Sequence, residues 1–224
     1  MALYRDLVPH ISRLLNKYHQ VISGQAKAEN WEEICAKALD LAGYGTDWTP
    51  DYNHGIGTDQ NTDDGTAISN KGGSLSKDEM TLTISGSRLT KFATLAEKID
   101  HIHNKDEDYI LCLASKKPFV GTYHFIVIDA TKLDYKNAEW SEKIGQRGKS
   151  KSKVVGWNAV GNNYTASITR SMSDQLWTEV GSKLFITHET ITIDTVRAKR
   201  KQRLLALFLL AAGSTFGFIT GVLY

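Results

Sequence analysis

The chain has 224 residues, enough for one sizeable core or for one domain with an appendage. A hydrophobic share of 41% with 23% charged residues excludes a disordered chain, and two cysteines exclude a disulfide scaffold. A net charge of only +2 means that bulk charge gives no argument for nucleic-acid binding.

Taken in order, residues 1–24 carry Leu7, Ile11, Leu14, Leu15 and Tyr18 at helical spacing, and Gly24 is a natural stop. Charges within Met1–His10 and the lack of a long apolar stretch argue against a secretory signal, so the body reads as intracellular. A second helix is expected from Asn30, with Asn30 as N-cap and Glu33 three residues later, a stripe of Trp31, Ile34, Cys35, Ala38 and Leu39, and Gly43 as its end. A loop over Thr46–His54 leads to a short extended segment, Ile56–Gln60. The turn Thr62-Asp63-Asp64-Gly65 then joins it to a second extended segment, Thr66–Lys71.

Met80–Ser85 alternates as a third strand, Thr94–His103 is an amphipathic helix, and Tyr109–Ala114 and Thr122–Ala130 are apolar strands of the buried kind. Beyond Lys143 the pattern is less regular. Tyr164–Thr169, Leu184–Thr187 and Thr190–Thr195 look extended, and Ser173–Val180 looks like a short helix capped by Ser173. Cys35 and Cys112 sit in apolar runs without metal-type spacing and read as buried thiols.

The end of the chain has a different composition. Residues 204–224 are uncharged and follow five Lys or Arg in Arg197–Arg203. At ~1.5 Å per residue that run can cross a ~30 Å hydrocarbon layer, with the basic flank holding the body on the cytoplasmic side. Gly213, Gly217 and Gly221 line one face for a helix partner, so a buried dimer helix is the competing reading. The expected division is therefore a body over 1–195 and an anchor-like segment over 196–224. Without the flank the body holds 22 cations against 25 acids, a net −3, so a polyanion ligand needs a local patch. Lys143, Arg147, Lys149, Lys151 and Lys153 supply one in a Gly- and Ser-rich stretch that also reads as a solvated loop.

Residues 30–115 thus give the order α-β-β-β-α-β, an α/β fold with a mixed sheet core flanked by helices. Hydrolysis of a phosphodiester needs a cation and a group that orients water or balances developing charge. Carboxylates and a lysine on adjoining strands supply both. Asp59 lies on the first expected strand, and Ser69 and Lys71 share one face of the second by alternation. A second carboxylate is then sought in Glu33, or in Asp63 or Asp64 of the turn.

His54-x-x-Gly57-x-Asp59, Ile68-Ser69-x-Lys71-x-Gly73, Leu82-Thr-Ile-Ser85-Gly-Ser87-Arg88 and Leu95-x-Glu97-Lys98-Ile99 resemble type II restriction endonucleases of the PD-(D/E)XK superfamily. Ser171–Trp177 extends the likeness, which spans residues 30–180. The resemblance implies Asp59 and Lys71 as catalytic residues; Ser69 on the same face and Glu33 complete the expected catalytic set, and Asp59, Glu33 and Asp64 are the expected ligands of Mg²⁺. The resemblance also implies double-stranded DNA as substrate and a homodimer, because palindromic sites are cut by two-fold partners. Ser69 stands where the family has Asp or Glu. Ser85, Ser87, Arg88 and Lys91 offer phosphate contacts, as do Arg147, Lys149 and Lys151. Asn158, Ser173 and Gln175, with Asn162 and Asn163, offer polar groups for base edges. The rival expectation is a membrane-anchored, inactive nuclease-like module that binds DNA or protein. A tethered nuclease would suit a virion with an internal membrane.

Overall fold

The computed structural model describes residues 3–49, 58–194 and 196. His54, Gly57, the basic flank and the apolar run 204–224 lie outside the described residues. Among the described residues no helix is long and apolar enough to cross a membrane.

Among the described residues the fold is mixed α/β, with three α-helices against one large mixed sheet. Helix α1 (Val8–Val21) follows a 3-10 turn and buries Ile11, Leu15 and His19. Helix α2 (Ala28–Ala42) begins three residues earlier than an Asn30 N-cap implies. Lys27 is its N-cap, and Asn30 sits at the third helical position, where its Oδ1 accepts from the Lys27 amide at 3.3 Å. Gly43 ends the helix at φ 87°, a conformation that suits glycine.

The strands are β1 (Gln60–Asn61), β2 (Ala67–Leu75), β3 (Thr81–Arg88), β4 (Tyr109–Ser115), β5 (Thr122–Asp129), β6 (Glu139–Ile144), β7 (Val154–Gly161), β8 (Tyr164–Thr169), β9 (Gln175–Gly181) and β10 (Phe185–Thr192). Helix α3 (Leu95–His103) lies between β3 and β4 and opens on a capping box from Thr94 and Glu97. The sheet order is β10-β5-β4-β2-β3-β9-β8-β7-β6, with β1 beside the start of β2. Strands β2 and β4 are parallel, and the other pairings are antiparallel.

Three expectations are corrected. The helix expected over Ser173–Val180 is strand β9: Leu176, Thr178 and Val180 alternate inward, which is strand periodicity. Ser173 is therefore no N-cap. It and Asp174 adopt left-handed backbone, φ 57° and 48°, in the turn before the strand. The two extended pieces after Leu184 are one strand, β10, with a bulge near Phe185.

The two faces of the sheet bury separate cores. Ile68, Leu111, Leu113, Phe125 and Ile191 pack with Trp31 and Leu39 of α2 and Ile11 and Leu15 of α1. The indole N–H of buried Trp31 donates to the Leu111 carbonyl at 2.9 Å, so α2 is pinned by a hydrogen bond as well as by area. On the other face Leu82, Ile84, Ile110, Cys112 and Ile126 pack with Ile102 of α3 and with Trp157, Ala166 and Leu176 of β7–β9. Cys35 and Cys112 are fully buried free thiols.

Candidate active site

Along one edge, β2 pairs with β4 continuously from Ile68 to Ser74. Along the other, β1 covers only Ala67 and Ile68, and β3 covers only Gly73 to Leu75. Residues Ser69–Gly72 therefore face a gap between two strands on that edge.

Asp59 fills part of this gap. It stands one residue before β1, and its amide donates to the Ile68 carbonyl at 2.9 Å, extending the ladder by one step. Its Oδ2 accepts from the Asn70 amide at 2.5 Å, the Ser69 hydroxyl at 3.2 Å and the Lys71 ammonium at 3.3 Å. Because Ile68 turns its carbonyl to this edge, Asn70 turns its N–H the same way. A carboxylate thus satisfies the backbone donor that a neighbouring strand would otherwise take. The Asp59 and Lys71 side chains are 13% and 21% exposed, so the pair is shielded but reachable.

Lys71 also lines a cavity of about 240 Å³ on the α3 face of the sheet. Ile84, Ile102, Ile110 and Leu176 form its apolar wall, while Ser85, His103, Lys105, Glu107 and Asp134 bring polar groups to it. The Tyr135 hydroxyl, 2.9 Å from Thr178 Oγ1, closes one side. Lys105 and Glu107 pair at 3.3 Å with side chains 9% and 8% exposed. The second carboxylate oxygen of Glu107, Oε2, is buried without a hydrogen-bond partner. Such an orphan costs about 1–3 kcal/mol or more unless a cation or a water satisfies it.

Glu107 escaped the sequence reading. Its signal is the acidic run Asp106-Glu107-Asp108 directly before a buried strand. Parallel pairing sets Tyr109 beside Ile68, which brings that run to the same end of the sheet as Asp59. The Thr58 hydroxyl donates to the Asp106 carbonyl at 3.2 Å, joining the two segments directly.

The acids expected to assist Asp59 lie elsewhere. Glu33 is exposed on α2, on the opposite face of the sheet from Lys71, beside a shallow hollow with Lys37, Asp40 and Trp48. Asp64 closes its own turn: Oδ1 accepts from the Thr62 hydroxyl at 2.6 Å and the Thr66 amide at 3.1 Å, and these bonds hold its pKa below the ordinary value. Asp63 packs against Gly45, where an added Cβ would fall 2.2 Å from its carboxylate. Ser69 is fully buried and directs its hydroxyl to Asp59.

Several expected DNA contacts share the end of the sheet that holds Asp59. Strand register puts Arg88 opposite Gln175, Gln175 opposite Thr169, Thr169 opposite Gly156, and Ile144 opposite Val154. That row leads to the β6–β7 loop with Arg147, Lys149 and Lys151, all exposed. Arg88 and Ser173 are exposed at the same end, and exposed Lys91 lies 5.1 Å from the Phe92 ring centre. Ser85 lines the cavity, and the register slips between Ser85 and Arg88, so Ser87 lies in a bulge. Within that bulge a Cβ at Gly86 would fall 2.8 Å from a Leu176 methyl, so a side chain there requires Leu176 to shift.

Four polar candidates have other roles or places. Gln175 donates to the Gly86 carbonyl and holds the bulge. Asn158 is exposed in mid-strand on β7, opposite Ser167, and Asn163, at φ 63°, turns the β7–β8 hairpin with Asn162 at the far end.

No protein-family model matches the chain, and no curated protein matches it.

Proposed function

We propose that this chain is a metal-dependent endonuclease for double-stranded DNA, built on the PD-(D/E)XK plan with Ser69 in place of the middle acid. The observation that carries the reading is the Asp59–Lys71 contact of 3.3 Å at a shielded edge beside a polar cavity. The α2-β1-β2-β3-α3-β4 order supports it, as does the cationic loop at the same end of the sheet. A type II restriction enzyme acting as a homodimer is the form that the sequence resemblance favours.

Asp59 beside Lys71 and Glu107 in the cavity that Lys71 lines would be the oxygen donors to Mg²⁺, and the partnerless Oε2 of Glu107 fits a cation ligand. Bound Mg²⁺ supplies Lewis acidity at a phosphate oxygen and a water of lowered pKa. Lys71 holds its ammonium at Asp59 and in this reading balances charge that develops on the phosphate. Ser69 keeps the Asp59 carboxylate in one orientation. Ser85 at the cavity and exposed Arg88 at the end of β3 are candidate partners for phosphate oxygens. From β2 to β6 there are five strand steps, roughly 24 Å along the sheet at ~4.8 Å each. The β6–β7 loop would therefore meet the duplex several base pairs from the scissile bond.

The test is incubation of the full chain with plasmid DNA and Mg²⁺ beside Asp59→Ala and Lys71→Ala. Discrete fragments from the parent, lost in both folded variants, support the reading. No cleavage with Mg²⁺ or Mn²⁺ by the folded parent overturns it. Retained DNA binding would then favour the inactive module, which the missing charge at Ser69 already suits.

A further inference from the structure

We infer that Glu79, His124 and His188 form a binding site for one borderline divalent metal ion of the Zn²⁺ type, separate from the Asp59–Lys71 site. Among the described residues this is the single group of three or more His, Cys, Asp or Glu side chains whose ligand atoms all lie within 4.8 Å of one another.

The three residues come from distant parts of the chain and meet because of strand register. His124 on β5 stands opposite Thr190, and His188 on β10 stands opposite Ile126. The two imidazoles are therefore diagonal neighbours on one face of an antiparallel pair. His124 Nδ1 lies 3.1 Å from His188 Nε2. Glu79, in the turn between β2 and β3, brings Oε2 to 3.9 Å from the same His188 nitrogen. A tetrahedral Zn²⁺ with bonds of about 2.0–2.2 Å holds its ligand atoms roughly 3.3–3.6 Å apart. The two separations to His188 Nε2 are within about half an ångström of that spacing, and all three ligand atoms lie within 4.8 Å of one another.

The surroundings suit a cation at that point. Lys116 pairs with Glu79 Oε1 at 2.6 Å, which fixes the carboxylate and leaves Oε2 turned toward the imidazoles. His124 is 3% exposed, whereas the side chains of His188 and Glu79 are 23% and 39% exposed, giving rigidity on one side and an entry path on the other. Two nitrogens and one carboxylate oxygen favour Zn²⁺, Co²⁺ or Ni²⁺ over Mg²⁺, and three protein ligands leave a fourth position for water. Glu79 follows the far end of β2 and His124 pairs with Ala114 near the end of β4, so this site and the Asp59 end are at opposite ends of the parallel pair. An ion here joins the β2–β3 turn to the β5–β10 edge.

The experiment uses the untagged full chain titrated with Co²⁺ by visible spectroscopy and with Zn²⁺ by calorimetry. The expected result is one equivalent bound, a tetrahedral Co²⁺ spectrum, and a Zn²⁺-dependent rise in melting temperature that Mg²⁺ does not reproduce. His188→Asn and Glu79→Gln, on half-buried side chains open to solvent on one side, each weaken binding at least tenfold. Lys116→Met weakens it roughly tenfold through the carboxylate it orients. His10→Gln, on α1, binds as the parent does. Absence of saturable one-to-one uptake overturns the proposal, and so does uptake unchanged in folded His188→Asn.

Discussion

Asp59 Oδ2 lies 3.3 Å from Lys71 Nζ, and the same oxygen also accepts from the Ser69 hydroxyl and the Asn70 amide. Three donors of different kinds thus converge on one carboxylate oxygen. Ser69→Ala removes one charge-assisted bond and should destabilise by ~1.5 kcal/mol in urea titration. Ser69→Asp sets two carboxylates side by side. It should lower the melting temperature in EDTA and gain more from added Mg²⁺ than the parent does. Equal Mg²⁺ responses would remove this edge as a metal site.

Glu107→Gln retains the shape of the buried side chain but loses its charge, leaving Lys105 without its 3.3 Å partner. Plasmid cleavage should fall at least ~100-fold with far-ultraviolet circular dichroism unchanged, as expected for a lost charge-stabilising group. Cleavage within threefold of the parent would assign metal holding to another residue.

The β6–β7 loop offers exposed Arg147, Lys149 and Lys151 at the end of the sheet that carries Asp59. Lys149→Ala with Lys151→Ala should lower the slope of log K against log salt for duplex binding by up to about 2, one unit per lost phosphate contact. Asn162→Ala, in the hairpin at the other end, should leave the slope as it is. An unchanged slope in the double variant would exclude the loop from the contact surface.

Lys98 is 1% exposed, pairs with Asp174 at 3.1 Å, and donates to the Leu89 carbonyl at 2.8 Å and to the Phe92 carbonyl. It fastens α3 to the β8–β9 turn and to the chain leaving β3. Lys98→Met leaves a carboxylate and two carbonyls without their cation, and should cost ~3–5 kcal/mol in chemical denaturation. A cost under ~1 kcal/mol would show that water replaces the ammonium.

Burial lowers the pKa of His101, which packs 4.5 Å from the Phe92 ring centre, and Lys91 and Lys105 lower it further. Above the ordinary histidine value of ~6.5 both folded and unfolded forms are neutral. As pH falls below that value the unfolded chain takes the proton first, so stability declines through the depressed folded pKa. His101→Gln should flatten the pH dependence of the urea midpoint between pH 7 and 5. A parallel curve would place the titration elsewhere.

Periodicity made α2, α3 and strands β2 to β5 legible in the sequence, because each buries one stripe or both faces. β6 was not legible: it is exposed along nearly its whole length and shows no alternation. β9 read as a helix because Ser173-Asp174 imitates a cap, whereas their left-handed backbone turns the chain into a strand. Asp59 and Lys71 were legible because alternation along β2 puts Lys71 on the Ser69 face and the hairpin brings Asp59 back to it. Glu107 and the His124–His188 pair were not, since each depends on pairing between strands far apart in the chain.

The core beneath α1 and α2 draws on both ends of the described chain. Ile11 and Leu15 lie against the same cluster as Ile191 and Ile193, Arg5 pairs with Glu189 at 2.7 Å, and the Thr187 hydroxyl donates to the Leu3 carbonyl at 2.5 Å. During synthesis the first two helices therefore wait for β10 before their apolar faces are covered, and contacts of such long sequence separation close slowly. A nascent chain halted at residue 180 should bind a hydrophobic dye that the finished chain does not. If the nuclease reading holds, cleavage competence is withheld until nearly all of these residues have left the ribosome, a delay imposed by topology alone.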